Sequence, residues 1–129
     1  RAVLIGNRFY LVGREDRSIM QFTGNRRLPL DVIMKDVDRS RPVIMMDHQP
    51  YHLSEAAAHG VDLQVSGHTH HGQLWPFNFI TGLIYEVSRG LKQVGSAAVY
   101  VSCGYGTWGP PVRVGMKPEV VHIQVRFAK

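Results

Sequence analysis

The chain has 129 residues, of which 44% are hydrophobic, and a formal net charge of +5. This length suits a single domain with a core of its own. No apolar run approaches the ~20 residues of a membrane-spanning helix, and no signal peptide is visible at the start. Cys103 is the only cysteine, which excludes an internal disulfide and a thiolate-bound zinc cluster. Its apolar neighbours predict a buried core residue rather than a nucleophile.

The distribution of charge indicates which partners to expect, and the first residue indicates whether the sequence is part of a longer protein. The basic residues are scattered, and Arg26-Arg27 is the only adjacent pair. We therefore expect a solvated basic surface and no nucleic-acid partner, although the excess charge suits a substrate that carries phosphate. The chain begins with Arg1 instead of methionine, so we expect it to be part of a longer protein, either cytoplasmic or membrane-associated.

The first part of the chain predicts a hairpin, a loop and a helix. Residues 2–13 predict two short strands, because apolar residues flank the turn-forming pair Gly6-Asn7. Residues 14–28 are polar and charged and predict a surface loop. A helix is predicted to open at Pro29. Four residues are spaced for its buried face: Leu30, Ile33, Met34 and Val37.

The next stretch predicts a strand, a helix and a second strand. Residues 43–46 form a continuous apolar run, too short for a helix, which indicates a strand buried on both faces. A helix over residues 52–59, ended by Gly60, leads to a strand over residues 61–65. Two strands joined by a helix favour parallel pairing, which places the residues after both strands at the same edge of the sheet.

The last part of the chain predicts shorter elements. Residues 76–79 predict a turn, and residues 80–87 a short helical piece. Residues 90–102 predict a hairpin about Gly95-Ser96. Residues 119–127 alternate between apolar and polar side chains, which predicts a final strand.

The segment GYGTWG, residues 104–109, has the glycine spacing of a dinucleotide-binding loop. That mechanism requires a helix N-terminus directly after the loop to hold the pyrophosphate, and Pro110-Pro111 stands there instead. We therefore predict a shaped loop whose Trp108 packs or forms a wall near the site, and no nucleotide cofactor.

VSGHTHHGQ, residues 65–73, places three histidines within four positions, between two glycines. Imidazole is a common ligand of zinc, iron and manganese ions. His48 follows the first of the parallel strands, and His68 and His70 follow the second, so all three are predicted to converge on metal. In a turn, the His-Thr-His pair can point its rings at two different ions. The other histidines considered lack such partners and are interpreted as structural: His52, His59 and His122.

The sequence SGHTHHGQ resembles the GHTH signature of calcineurin-like metallophosphoesterases, and DHQP, residues 47–50, is similar to an upstream histidine motif of that superfamily. The closer resemblance is to the bacterial branch similar to YkuE and YaeI. This branch has recognisable counterparts of three stretches: GVDLQVSGHTHHGQLWPFN, YVSCGYGTWGPPVRVG and PEVVHIQV. The resemblance extends over most of the chain from about residue 11 onward.

The resemblance implies an α/β fold with a mixed sheet and flanking helices, namely the C-terminal half of a metallophosphoesterase β-sandwich. It also implies a hydrolase that uses two divalent ions, of manganese, zinc or iron, in the complete protein. His48 and His68 would bind one ion and His70 the other, and a hydroxide bridging the ions would attack a phosphoester or pyrophosphate bond. Four further residues are expected beside the substrate: Gly67, Thr69, His71 and Gln73. His71 stands where many members carry glycine.

Three earlier motifs of the superfamily, Asp-x-His, Gly-Asp and Gly-Asn-His-Asp, do not occur in the chain. They supply the bridging aspartate, the remaining metal ligands and the acid histidine. We therefore expect residues 1–129 to be the C-terminal part of a phosphoesterase domain, inactive alone and holding at most one weakly bound ion. The alternative is a non-catalytic metal- or anion-binding module. The substrate of the complete enzyme would be a phosphorylated small molecule or a lipid-linked pyrophosphate.

Half of a β-sandwich would expose the apolar sheet face that normally packs against the other half. An apolar face larger than a few hundred Å² favours association. We therefore expect the chain to self-associate through the sheet face or through residues 2–13.

Overall fold

A computed structural model describes residues 1–126. It contains six strands, Ala2–Ile5 (β1), Phe9–Gly13 (β2), Val43–Met46 (β3), Leu63–Ser66 (β4), Gly90–Val94 (β5) and Ala97–Val101 (β6). The helices are Ile19–Thr23 (α1), Leu30–Met34 (α2), Leu53–Ala58 (α3) and Phe77–Ile84 (α4), with a 3-10 turn at His70–Gly72. None of the helices within residues 1–126 has the length and apolar character needed to cross a bilayer.

All six strands belong to one mixed sheet in the order β1-β2-β3-β4-β6-β5. Strands β2, β3, β4 and β6 are parallel, and β1 and β5 pair antiparallel at the two edges. The predicted α/β class with a mixed sheet and flanking helices is therefore confirmed. Because parallel strands end at the same edge of a sheet, the residues that follow four of them lie along one line.

One face of the sheet is covered by helices. Val12, Met45, Gln64 and Val99 are register partners across four strands, and each is at most 1% exposed. Helices α2 and α3 contribute the apolar residues that pack on part of this face: Leu30, Met34 and Ala56. The core of the protein therefore lies on this side of the sheet.

The opposite face is less well covered. Its row of register partners Leu11, Ile44, Leu63 and Ala98 is half-buried, and Met46 is 46% exposed. The prediction that residues 43–46 are buried on both faces is therefore wrong. A continuous apolar run shows that both faces of a strand are apolar, whereas burial also requires a layer of structure on each side.

Two predictions for the first part of the chain need correction. The hairpin of residues 2–13 is confirmed, but the predicted loop over residues 14–28 contains α1, which is capped by Gly24 with a left-handed φ of 74°. This helix has no buried residue, so it lacks the apolar periodicity that would reveal it. The helix after Pro29 is confirmed but ends at Met34, while Val37 beyond it still packs into the core.

The last part of the chain departs further from prediction. Residues 77–79 are the first turn of α4 and not part of a turn before it. The hairpin of β5 and β6 is confirmed. Residues 119–126 form no strand, although they alternate in sequence, and Phe127 lies outside the described residues. An alternating segment becomes a strand only when it pairs with a sheet edge, which the sequence pattern alone does not specify.

Candidate functional site

His48 and His68, the predicted metal ligands that follow β3 and β4, lie together at the end of the sheet. A backbone bond joins their loops, because the Gly67 N–H donates to the His48 carbonyl at 3.0 Å. The rings meet edge to face, with centroids 5.0 Å apart, and His68 Nδ1 lies 3.2 Å from His48 Nε2. These two residues, the His48–His68 pair, therefore converge as the strand order predicts.

The spacing of the two ring nitrogens allows a test of whether they suit a metal ion. With zinc–nitrogen bonds of about 2.0–2.1 Å, two nitrogens of a tetrahedral site lie ~3.3 Å apart. The 3.2 Å separation is a hydrogen-bond distance, and it is also close to the spacing of two ligands of one ion. Within residues 1–126, however, no three His, Cys, Asp or Glu side chains form a group that could hold a metal. The described residues therefore bring two of the three predicted ligands together and contain no complete metal-binding group.

Asp16, on the segment after β2, is a neighbour of this pair that sequence reasoning missed. Its Oδ2 lies 3.9 Å from His48 Nε2, and its Oδ1 accepts bonds from the Ser18 N–H and hydroxyl at 2.8 and 2.6 Å. The Ser18 hydroxyl contributes most to lowering the pKa of Asp16, with smaller contributions from His48 and His68, against the opposing effect of burial. Asp16 follows β2, which pairs with β3, and this position could have revealed it as a neighbour of His48.

Asp47 anchors the backbone directly before His48. Its side chain is 1% exposed and lies 3.1 Å from Arg27 Nη1 and 3.5 Å from Arg14 Nη1. Its N–H donates to the Val65 carbonyl of β4 at 3.2 Å. Arg14 also bonds Glu55 of α3 at 3.0 Å, which extends the network to the helix. A buried carboxylate with two guanidinium partners therefore holds the start of the His48 loop.

His70 points elsewhere. Its Nδ1 lies 3.4 Å from Nη2 of Arg113, which donates to the carbonyls of Cys103 and Gly104 at 3.0 Å and to that of Gly106. Burial, then the Arg113 charge and then that of His48, lower the pKa of His70. The structure thus brings His48 and His68 into contact and leaves His70 beside a guanidinium, which competes with a cation for that nitrogen.

The residues expected beside the substrate make bonds within the fold. The Thr69 hydroxyl donates to the Ser88 carbonyl at 2.6 Å, and His71 Nδ1 lies 2.8 Å from Ser88 Oγ. Burial, followed by the charge of Arg89, lowers the pKa of His71. These contacts fix the turn against the segment before β5, and they give His71 a structural contact that the sequence could not assign.

Gln73 joins the histidine turn to the glycine-rich loop. Its Nε2 donates to the carbonyls of Trp108 and Pro110 at 2.9 and 3.2 Å, and its Oε1 accepts the Trp108 N–H at 2.6 Å. Residues 110–126 after the loop contain no helix, in agreement with the rejection of a dinucleotide-binding fingerprint. The Trp108 side chain is 76% exposed, so it does not pack into the core, although its backbone lies beside the turn.

The backbone of the turn is strained. His68, His70, His71 and Gln73 have positive φ angles of 68°, 45°, 44° and 50°. A left-handed conformation costs a residue with a Cβ about 1–2 kcal/mol. Of the glycines at the turn, Gly72 adopts positive φ and Gly67 does not. Such strain concentrates at functional sites, where the surrounding structure imposes it.

The remaining singled-out residues occupy ordinary positions. Cys103 is fully buried, as predicted, and burial is the main cause that raises its pKa. His59 caps the C-terminus of α3, with Nδ1 2.8 Å from the Glu55 carbonyl oxygen, which agrees with a structural role. His52 and His122 are exposed, and His52 has a left-handed φ of 53°.

The chain is similar to several proteins named as metallophosphoesterases. It is 38% identical over 98 residues to one from Helicobacter pylori strain J99, covering 74% of this chain and 26% of that protein. It is 36% identical over 123 residues to one from Aquifex aeolicus, covering 93% of this chain and 47% of that protein. It is 39% identical over 83 residues to YkuE of Bacillus subtilis, covering 60% of this chain and 28% of YkuE.

No protein-family model matches the chain, and no solved structure matches it significantly. The chain spans less than half the length of these three relatives. Together with the histidine turn at the carboxyl ends of parallel strands, the matches confirm the resemblance on which the sequence prediction rests. The chain belongs to the metallophosphoesterases of the calcineurin-like superfamily.

Proposed function

We propose that the chain supplies part of the active site of a metal-dependent phosphoester hydrolase, with His48 and His68 as ligands of one divalent ion. The observation that carries this proposal is the 3.2 Å approach of their ring nitrogens at the ends of adjacent parallel strands. The names of the relatives support a phosphoesterase. The hydrolysis of a phosphoester or pyrophosphate bond by the complete protein, with two ions of manganese, zinc or iron, is part of the same proposal.

Divalent ions at such a site would neutralise charge on the phosphate oxygens and favour ionisation of an attacking water. The chain's own contribution is to hold imidazole in place. The bond between the Gly67 N–H and the His48 carbonyl sets the distance between the two loops. The buried Asp47 network fixes the backbone before His48, so the segment that carries this ring is already in position when the ion arrives.

Zinc titration tests the role of the pair. We expect the chain to bind one equivalent of Zn²⁺ in isothermal titration calorimetry, and the His48→Ala/His68→Ala double variant to lose at least about tenfold in affinity. His122→Ala, which removes an exposed histidine, is the control and should bind as the parent does. Equal binding by the parent and the double variant would count decisively against the proposal.

The chain by itself is proposed to be inactive, because residues 1–126 contain no group of three metal ligands. Two ions held close together repel one another and require anionic ligands, which two neutral imidazoles do not provide. Assays with bis-p-nitrophenyl phosphate and Mn²⁺ should show no turnover above background. Turnover that His70→Ala abolishes would show that the site is complete and that this part of the proposal is wrong.

A non-catalytic metal- or anion-binding module is the second candidate, and the incomplete ligand group favours it. The two candidates differ in what the whole protein does. Hydrolysis by the longer protein, lost on substitution of His48 and His68 inside it, supports the enzyme. Metal binding by that protein without hydrolysis of any phosphoester tried supports the module.

A further inference from the structure

Four arginines gather around one cavity beside the His48–His68 pair. The cavity has a volume of about 480 Å³ and lies between the segment after β2 and the start of α3. Its charged and polar lining consists of six residues, Arg14, Arg17, Arg26, Arg27, His52 and Glu55, which we call the arginine cavity. The Asp47 network accounts for Arg14 and Arg27, but it does not account for Arg17 and Arg26.

The carboxylates that contact these arginines do not balance them. Arg14 bonds Glu55 at 3.0 Å and lies 3.5 Å from Asp47, and Arg27 lies 3.1 Å from Asp47. Arg17 instead lies over the ring of Tyr51, 4.8 Å from its centroid, which supplies no full negative charge. Within residues 1–126, Asp47 and Glu55 pair with two of the four arginines, Arg14 and Arg27, so the lining has an excess of positive charge that an anion would neutralise.

Arg14 has hydrogen-bonding capacity that the described residues leave unused. Its side chain is 5% exposed, and its buried Nε has no hydrogen-bond partner within residues 1–126. A buried donor without a partner is rare in folded proteins, and a water molecule or a bound anion would satisfy it. Guanidinium groups present parallel donors that match the oxygens of a phosphate, so a phosphate group is the anion that this lining suits best.

The arginine cavity adjoins the histidines. Arg14 also lines a second cavity of about 420 Å³, together with His48, Gly67 and other residues at the carboxyl ends of β3 and β4. Asp16, between Arg14 and Arg17 in the chain, lies 3.9 Å from His48. An anion in the arginine cavity would therefore be a close neighbour of a group bound at the His48–His68 pair.

We propose that the arginine cavity binds a second phosphate of the substrate, one that is not attacked, so that the preferred substrate class is a diphosphate ester. This proposal rests on the function proposed above, because it assigns the attacked phosphate to the neighbouring histidines. The anion site itself consists of arginines and requires no metal ion. Soluble diphosphates and anionic lipid headgroups share this chemistry, and the experiment separates them.

Binding of inorganic pyrophosphate to the metal-free chain, measured by calorimetry in the presence of a chelator, tests the proposal. We expect tighter binding of pyrophosphate than of inorganic phosphate. The Arg17→Gln/Arg26→Gln variant removes two exposed arginines of the cavity and should lower the affinity for pyrophosphate at least about tenfold. Arg39→Gln/Arg126→Gln removes the same charge from exposed positions elsewhere and should leave that affinity unchanged.

The histidine variants separate this proposal from the proposed function. His48→Ala/His68→Ala should retain metal-free pyrophosphate binding, and Arg17→Gln/Arg26→Gln should retain zinc binding. Three results would overturn the proposal: no pyrophosphate binding by the parent, equal loss in the charge-matched control, or loss in the histidine variant. Sedimentation with phosphatidylcholine vesicles that contain phosphatidic acid, without binding of soluble pyrophosphate, would also overturn it, since the cavity would then be a membrane contact.

Discussion

The two sides of the histidine site are built differently. His48 and His68 follow strands directly, and the backbone bond between Gly67 and His48 joins their loops. His70 and His71 lie in a 3-10 turn with left-handed backbone, held through Arg113 and Ser88 by later parts of the chain. The strand side thus inherits its geometry from the parallel sheet, whereas the loop side depends on individual side-chain contacts. The strand side should accordingly be rigid and the loop side adjustable.

Substitution of Asp47, on the strand side, is expected to have the largest effect on stability. Asp47→Ala would leave Arg14 and Arg27 without their shared buried partner, and we expect a loss of about 3–5 kcal/mol in the free energy of unfolding. Urea unfolding measures the change. Asp36→Ala removes an exposed carboxylate that pairs with Lys35 and is the control, with little or no change expected. A small effect at Asp47 would mean that the network does not support the strand side.

The half-exposed face of the sheet predicts self-association, with a second copy of the chain as partner. Met46, Val65 and Tyr100 are register partners on this face. Burial of apolar surface contributes roughly 25 cal/mol per Å². Met46→Lys places a charge in the contact and should weaken dimerisation at least about tenfold, as measured by sedimentation velocity. Val120→Lys, at an 84% exposed residue, is the control. A parent chain that stays monomeric at all concentrations would contradict the prediction.

Glu119 provides a pH-dependent test of the loop side. Burial opposes its ionisation, but the bonds from Cys103 and Ser102 and the charge of Arg89 hold its pKa below the ordinary value. Its contribution to stability is present above the ordinary glutamate pKa of ~4.3 and is lost as pH falls through the lowered folded value.

Glu119→Gln should accordingly cost about 1–2 kcal/mol at neutral pH, because the bond from the Cys103 N–H at 2.9 Å loses its charged acceptor. The difference from the parent should shrink in acid, where the parent carboxylate is protonated. Urea unfolding at several pH values checks both statements. Glu86→Gln, which affects an exposed pair with Lys92, is the control. A pH-independent difference would show that charge is not the cause.

The smallest effect is expected from the strained turn. His71 has φ 44° and ψ 45°, so glycine should be tolerated there better than alanine. We expect His71→Gly to be about 1 kcal/mol more stable than His71→Ala in urea unfolding, since both lose the ring and only the cost of left-handed backbone differs. At His122, where φ is not positive, the same two substitutions should show no advantage for glycine. Equal stability at residue 71 would argue against this turn geometry.

Sequence reasoning succeeded where local pattern decides the structure. The hairpins and the parallel pair of β3 and β4 follow from apolar runs and turn residues, and the approach of His48 and His68 follows from the strand order. It failed where contacts between residues distant in sequence decide the structure. Asp16 approaches His48 and Arg113 approaches His70 only after folding; the position of Asp16 after β2 was a signal, but no local pattern marks Arg113.

The same limit explains the false strand over residues 119–126. Its alternation is real, but Glu119 makes its contacts at Cys103 and Gly104, beyond the end of β6, instead of along a strand. Likewise, the arginine cavity joins Arg14 and Arg17 to Arg26 and Arg27 across α1, a helix that the sequence did not reveal. Contacts between segments, rather than propensities within them, are the missing information.

His48 and His68 are proposed to form an ion-binding pair together, and nuclear magnetic resonance of the ring nitrogens during zinc titration tests this most directly. In a chain labelled with ¹⁵N-histidine, with signals assigned through single His→Ala variants, the signals of His48 and His68 should shift together as one equivalent of zinc binds. The signals of His122 should remain unchanged. Zinc binding that shifts other histidines while leaving His48 and His68 unperturbed would contradict the account.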